Sequence, residues 1–372
     1  MSQLIPSHSV PGILFRHFGL GTLLILGAAA VLLFSDPRWH REQRSSDAPK
    51  KVAVFNYVTV PTLEDGEAGA VAGLKEAGFV EGENLTLSRY NAEGDRSTAI
   101  MISKEIVGGD FDLILTLSTP VLQSLAAANL DTRRTHVFTL STDPWGAGVG
   151  ISRENHLEHP PYMTGEGSIP PIGRLFEMAR EANPGLKKVG VVWNPAESNS
   201  EAAVKLARAI CKKLKIELVE MNVDSSSGVQ DATRALIARQ VEAIWTGGDA
   251  TVAAAHDTLI STAANGGVPV FSSLVSNVKG GALFSLGPDY YEVGHAGGLL
   301  AGRVLKGADP ATIPVDNFAP QVLALNLVTQ EKYQAKWHFG ADWAKRARLV
   351  VDQSGAHDIK QSPPSARGSS AG

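Results

Sequence analysis

The chain has 372 residues, 44% hydrophobic and 19% charged, with a formal net charge of −4. That balance belongs to an ordinary globular protein long enough for two lobes, and it lacks the basic footprint of a nucleic-acid binder, so nucleic acid is excluded as a partner. The single cysteine, Cys211, rules out an internal disulfide, and its helical spacing from Leu206 and Leu214 makes it a small core hydrophobe.

Residues 1–17 form an N-terminal segment, and Phe18–Phe34 follows as an uncharged apolar run of about 17 residues, short for a membrane span and long for a signal-peptide core. Residues 18–34 are therefore a transmembrane anchor or a signal peptide. Apolar residues continue past Ala28-Ala29-Ala30, which favours the uncleaved anchor. Charge bias opposes export: Arg16 precedes the run while Arg38, Arg41 and Arg44 follow it, and the positive-inside rule would keep the body cytoplasmic. Residues 35–50 are polar and aperiodic and suit a tether. At the far end, residues 353–372 are rich in Ser, Pro, Gly and Ala and are expected to be a disordered tail.

The body opens with the β-prone run "KKVAVFNYV". Thr62 and Asp65 mark a helix start, Val71, Leu74 and Ala77 its buried stripe, and Gly78 its stop. The strand "NLTLSRY", a helix from about Ser97 to Val107, the strand "FDLILTLS", a helix from about Pro120 to Ala128 and the strand "HVFTLS" come next. Strands separated by helical stretches imply right-handed crossovers and a parallel sheet. After the Pro/His/Gly-rich passage "HLEHPPYMTGEGSIPP", a helix over Ile172–Ala182 leads into "KKVGVVWN", and the rhythm restarts through "IELVEMNV", "VEAIWTGG", "VPVFSSL" and "GGALFSLG". Tyr290–Lys306 is helical, and "VLALNLV" returns as a late strand before a final helix. The fold expected is α/β, with two Rossmann-like, doubly wound parallel-sheet lobes joined by a hinge. Because the late elements cross back, the boundaries are discontinuous: 51–165 plus about 287–325 for the first lobe, 166–286 plus about 326–352 for the second.

In such sheets ligands bind beyond the carboxyl ends of the strands, at helix N-termini. Thr119-Pro120 has the form of a helix start whose free amides hold a carboxylate, although a plain cap accounts for it equally. In Asn194–Glu201, Ser198 and Glu201 have capping-box spacing. Asn194, Glu197, Asn199 and Ser200 exceed what one helix end requires and suit the orientation of a small zwitterion. Asp249, after Gly247-Gly248, is an ordinary N-cap and also the natural partner for an ammonium group. The expected arrangement has helix N-termini near Thr119 and Asn199 holding a carboxylate while Asp249 faces an amine. Asp143 offers a second acid, equally explicable as a turn, and Asn56, Tyr57 and Thr59 are candidates for the cleft wall. His156 and His159 form an H-x-x-H group in a Pro-rich loop without helical spacing, so no metal site is expected. No GxSxG, P-loop or HExxH motif occurs, and no nucleophile, catalytic residue or cofactor is nominated.

The stretches "GLKEAGFVEGENLTLSRYNAEGD", "STPVLQSLA", "STDP", "TGEGSIPP", "KKVGVVWNPAESNS", "GGD" and "GALFSLGPDYYEVGHAGGLLAGRVLKGADPATIPV" together resemble the ABC-transporter substrate-binding proteins of the TrpX-like family, which have a type I periplasmic-binding-protein fold. The resemblance runs from about Lys51 to Val328. It implies a cleft closing on a small ligand, in some members an aromatic amino acid, with Thr119, Asp143, Asn194, Glu197, Asn199, Ser200 and Asp249 as contacts. The implied partners are ABC permease and ATPase subunits on the extracytoplasmic face, with the membrane engaged through the N-terminal helix. A membrane-anchored sensor using the same fold is the alternative. The chain departs from the family pattern where a His-Pro pair commonly follows the first strand and here stands Asn56-Tyr57-Val58-Thr59-Val60-Pro61, and at Ala250, where Asn is frequent.

Overall fold

The computed structural model describes residues 48–359. The expected anchor or signal peptide, nearly all of the tether and residues 360–372 lie outside them. Among the described residues no helix is long and apolar enough to cross a membrane.

The first lobe alternates β1 (Lys50–Asn56), α1 (Pro61–Glu76), β2 (Leu85–Asn91), α2 (Arg96–Gly108), β3 (Leu113–Leu117), α3 (Thr119–Ala128), β4 (His136–Ser141) and β5 (Met163–Gly167). The second runs through α4 (Ile172–Ala182), β6 (Lys188–Trp193), α5 (Ser198–Leu214), β7 (Glu217–Asn222), α6 (Val229–Ala238), β8 (Ala243–Thr246), α7 (Ala250–Ala253), α8 (His256–Asn265), β9 (Val270–Ser272) and β10 (Phe284–Pro288). The chain then returns with α9 (Tyr290–Leu305) and β11 (Asp316–Asn317). It finishes with β12 (Gln321–Asn326), α10 (Leu327–Tyr333), α11 (Trp343–Arg346), β13 (Leu349–Asp352) and β14 (Gly355–Asp358).

Strand order is β11-β5-β4-β3-β1-β2 in one sheet and β14-β13-β12-β10-β9-β8-β6-β7 in the other. The first sheet is parallel throughout, and the second is parallel except where β12 pairs with β10 and β14 with β13. Strands β3 and β4 are buried along their whole length, as expected for strands covered on both faces, and this is why they read as mainly apolar runs without polar alternation, with Thr116, His136, Thr139 and Ser141 as buried polar exceptions. Each sheet reverses its winding once, between β1 and β3 in the first and between β6 and β8 in the second. Loops leaving the strands on either side of such a point diverge and open a crevice. Those loops carry Ser118-Thr119 in the first lobe and Asn194–Glu197 and Gly247–Asp249 in the second.

Helix α9 comes back to lie on α1 with the two backbones in contact. A Cβ on Gly294 would stand 1.9 Å from the Gly66 carbonyl oxygen, and one on Gly298 2.1 Å from that of Ala70. The fit is reciprocal, because a Cβ on Gly69 would meet the Tyr291 oxygen at 2.0 Å and one on Gly73 the His295 oxygen at 2.1 Å. The chain crosses between the lobes after β5, after β10 and before β12, and the Asp289 amide donates to the Pro320 carbonyl (2.7 Å), joining two of these crossings.

Three expectations are corrected. Strand β12, placed with the first lobe by the 287–325 boundary, pairs antiparallel with β10 (Phe284 opposite Leu325) and so belongs to the second sheet. An apolar run announces a strand but not its neighbour. Residues at the start of the supposed tail instead turn β13 back as β14, with Val350 opposite His357. The Pro/His/Gly-rich passage contains β5, whose Gly165 sits against the Phe138 backbone where a Cβ would be 2.3 Å from the carbonyl oxygen. A strand that must use glycine for close approach loses its apolar signature.

Candidate functional site

Leu117 ends β3, and Ser118 and Thr119 open α3. Thr119 is buried; its hydroxyl lies 3.2 Å from that of Ser141 and accepts the Thr142 amide at 3.2 Å, which ties the end of β3 to the end of β4. From the other lobe, the loop after β6 and the loop after β8 lock together. Glu197 accepts the Ala250 amide (2.8 Å), the Thr251 amide (2.9 Å) and the Thr251 hydroxyl (2.7 Å), so its carboxylate caps the first turn of α7. Asn194 donates from Nδ2 to the Thr251 hydroxyl (2.9 Å) and accepts the Ala196 amide on Oδ1 (2.9 Å). Ser200 donates to Asp249 Oδ2 (2.8 Å), and Asp249 Oδ1 accepts the Val252 amide (2.7 Å). Asn199 donates to the Gly248 carbonyl (3.1 Å), leaving its Oδ1 buried without a partner.

These groups meet across a cavity of about 50 Å³ between the lobes, with Ser118, Thr119 and Thr142 on one side and Asn199 and Asp249 on the other. Val58, Val60, Leu63, Leu140 and Leu274 supply an apolar wall. Asp249 is the one carboxylate in the lining, and no Lys, Arg or His joins it. Burial, followed by the nearby Glu197 charge, raises its carboxyl to about 7, against the opposing hydrogen bonds from Val252, Ser200 and Asn194. Pro120 also borders a second, larger opening of about 590 Å³, whose lining includes Tyr57, Arg96, Asn194 and Glu197. A cavity of about 50 Å³ is well below the roughly 300–1,000 Å³ of most small-molecule sites. Admission of anything larger than a few waters therefore requires the lobes to part.

Of the residues singled out in the sequence, Thr119, Asn199 and Asp249 share the cavity, while Asn194, Glu197 and Ser200 stand behind it and hold it. The carboxylate of Glu197 is committed to α7, and the Asn199 amide nitrogen to Gly248, so the Asn199 atom left uncommitted is its Oδ1 acceptor. The capping box is absent: Glu197 occupies the N-cap of α5 without a side-chain cap bond, and the Ser198 hydroxyl has no partner. Tyr57 lies at the larger opening and donates to the Gly94 carbonyl (2.7 Å). Thr59 is exposed and accepts from Asn91 (2.8 Å), and Asn56 donates to Glu67. Asp143 is turned away into an ion pair with Arg153 (2.7 Å) and lines neither space. His156 pairs with Asp316 (2.6 Å), and His159 bonds the Ile313 carbonyl (3.0 Å), so both pin their loop to the segment around β11. Among the described residues no cluster of three or more potential ligands could hold a metal ion.

Sequence reasoning missed Ser118, Thr62 and Tyr290, which also line the cavity, together with the apolar wall. Leu140 and Leu274 are indistinguishable in sequence from core leucines. Ser118 sat beside Thr119, the more conventional capping residue.

The family model for ABC transporter substrate binding proteins matches residues 51–337. A tyrosine-binding protein of Clostridioides difficile (strain R20291) is 28% identical over 287 residues, covering 77% of this chain and 81% of that protein. Among solved structures, a conserved domain protein from Vibrio cholerae O1 biovar El Tor matches with a TM-score of 0.75 at 32% identity, covering 81% of this chain and 99% of the other. The ABC domain from Streptococcus pneumoniae in complex with L-Trp matches with a TM-score of 0.76 at 26% identity, covering 82% and 100%.

Proposed function

The chain belongs to the ABC transporter substrate-binding protein family, and we propose that its ligand is a free α-amino acid with an apolar side chain. The observation that carries this reading is the convergence of Thr119 from one lobe with Asn199 and Asp249 from the other on a single cavity. A buried carboxylate without a protein cation calls for an ammonium group, and the partnerless Asn199 Oδ1 supplies a second acceptor for its N–H bonds. Across the gap, the first turn of α3 presents unpaired amides and the positive end of its dipole to an anion. The apolar wall receives the side chain. The relatives named for tyrosine and crystallised with L-Trp agree with this class.

Because ligand contacts come from both lobes, they are complete only when the lobes close. The bound amino acid thus shifts the population to the closed form that a permease and its ATPase read. The same reading puts the body outside the cytoplasm, with residues 18–34 as anchor or signal. Calorimetric titration of the purified protein with the common amino acids tests it. Binding of at least one apolar amino acid is expected, weakened tenfold or more by Asp249→Asn. Equal affinity in that variant removes the ammonium role, and no amino-acid binding by the wild type sinks the proposal.

A further inference from the structure

A further cavity of about 550 Å³ lies between the lobes beside the crossing at Pro288-Asp289, and its volume falls in the range of most small-molecule sites. It is separate from the ligand cavity but shares a wall with it. Thr62 and Tyr290 line both spaces, and the Thr62 hydroxyl of the first lobe lies 3.3 Å from that of Ser276 in the second, so these side chains form the partition. Asp289, at the crossing itself, is held by an ion pair with Arg348, which also lines the space. Whatever fills this cavity touches both lobes next to a segment about which they turn.

Most of the charges around it are already matched. His256 and Asp257 pair with each other (3.1 Å), and Arg348, besides holding Asp289, has Asp358 at 3.7 Å. Two lining charges are left over. Among the described residues, neither the Asp65 carboxylate, on α1 of the first lobe, nor the Lys279 ammonium, in the second lobe, has a hydrogen-bond or ion-pair partner. Opposite charges on two lobes that line one space without meeting complement a guest bearing both signs, its ammonium toward Asp65 and its carboxylate toward Lys279. A guest with one charge would satisfy only one of them. Between the two, Tyr290, Val275 and Val322 supply apolar surface for the methylene groups that would span the gap.

We infer that this hinge-side cavity is a second binding site, taking a small zwitterion whose ammonium and carboxylate are separated by a short aliphatic chain. Its occupant draws contacts from both lobes and so favours the closed arrangement; by linkage, occupant and cleft ligand strengthen each other's binding. The site stands apart from the amino-acid reading of the cleft. Calorimetric titration of the full chain with glycine, β-alanine, γ-aminobutyrate and 5-aminovalerate, beside butyrate and butylamine, tests it. At least one of the zwitterions is expected to bind the wild type, with the singly charged compounds tenfold or more weaker, the scale of one lost hydrogen bond to a charged group. Asp65→Asn and Lys279→Gln are each expected to weaken the zwitterion tenfold or more, while Asp249→Asn, a change in the cleft, retains it. Small-angle scattering is expected to show that the bound zwitterion alone reduces the radius of gyration. Absence of zwitterion binding, equal binding of the singly charged compounds, binding that survives both Asp65→Asn and Lys279→Gln, or an unchanged radius of gyration overturns the inference and leaves the amino-acid reading of the cleft standing.

Discussion

Asp249 illustrates how one side chain that serves the fold can, in the proposed reading, serve the ligand as well. It caps α7, receives Ser200 and faces the cavity, and its carboxyl is raised from 3.8 to about 7 because burial and the Glu197 charge oppose its ionisation. A raised carboxyl favours the folded state most while protonated, so its contribution is present below about pH 4 and is lost as pH climbs toward 7. Denaturation at a series of pH values is therefore expected to move the stability difference between Asp249→Asn and wild type in favour of the variant as pH rises from 4 to 8. Ligand affinity runs the other way. An ammonium needs the carboxylate, so wild-type affinity is expected to rise about tenfold per pH unit up to about 7 and then level off, whereas the Asn variant stays flat. Calorimetry in buffers of different ionisation enthalpy reads the released proton directly. At this scale Asp249 and Thr119 were legible in sequence as small polar residues at strand ends. Asp143 was misleading for the same reason: only the folded loop brings Arg153 to it.

Two elements set the site through packing rather than contact. Helix α7 is four residues long and could not hold its own first turn; Glu197, brought from the loop after β6, satisfies its amides. Glu197→Gln removes half of that acceptor capacity and the charge that raises Asp249. The expected result is weaker amino-acid binding together with a lower-pH midpoint in the affinity profile, a combination that simple loss of a ligand contact would not produce. The second element is α9, which carries the chain back to the first lobe on the glycine-paved face of α1. Gly298→Val places methyl groups where the Ala70 carbonyl already stands. It is expected to cost about 3 kcal/mol, read as a fall of roughly 5–10 °C in melting temperature. The helices themselves were legible from their apolar spacing and their glycine and proline stops. Strand β5 was not, because its glycine serves close approach to Phe138 instead of supplying an apolar side chain.

For the molecule as a whole, the cavity is too small to admit an amino acid without motion at the three interlobe crossings. Small-angle scattering is expected to give a larger radius of gyration without ligand than with saturating amino acid; identical curves would mean that the lobes do not move. Ligand at a hundred times its dissociation constant should add about 2.7 kcal/mol to stability, visible as a thermal shift. The sequence alone determined that there are two α/β lobes with polar strand ends, since buried parallel strands must be mainly apolar and helices must start and stop on residues that permit it. Only the tertiary structure decided which polar residues face the cavity and which merely hold it in place. Glu197 and Ser200 find their partners 49 to 54 residues along the chain, and a side chain's role depends on which of its hydrogen-bonding atoms remain free once such distant segments have met.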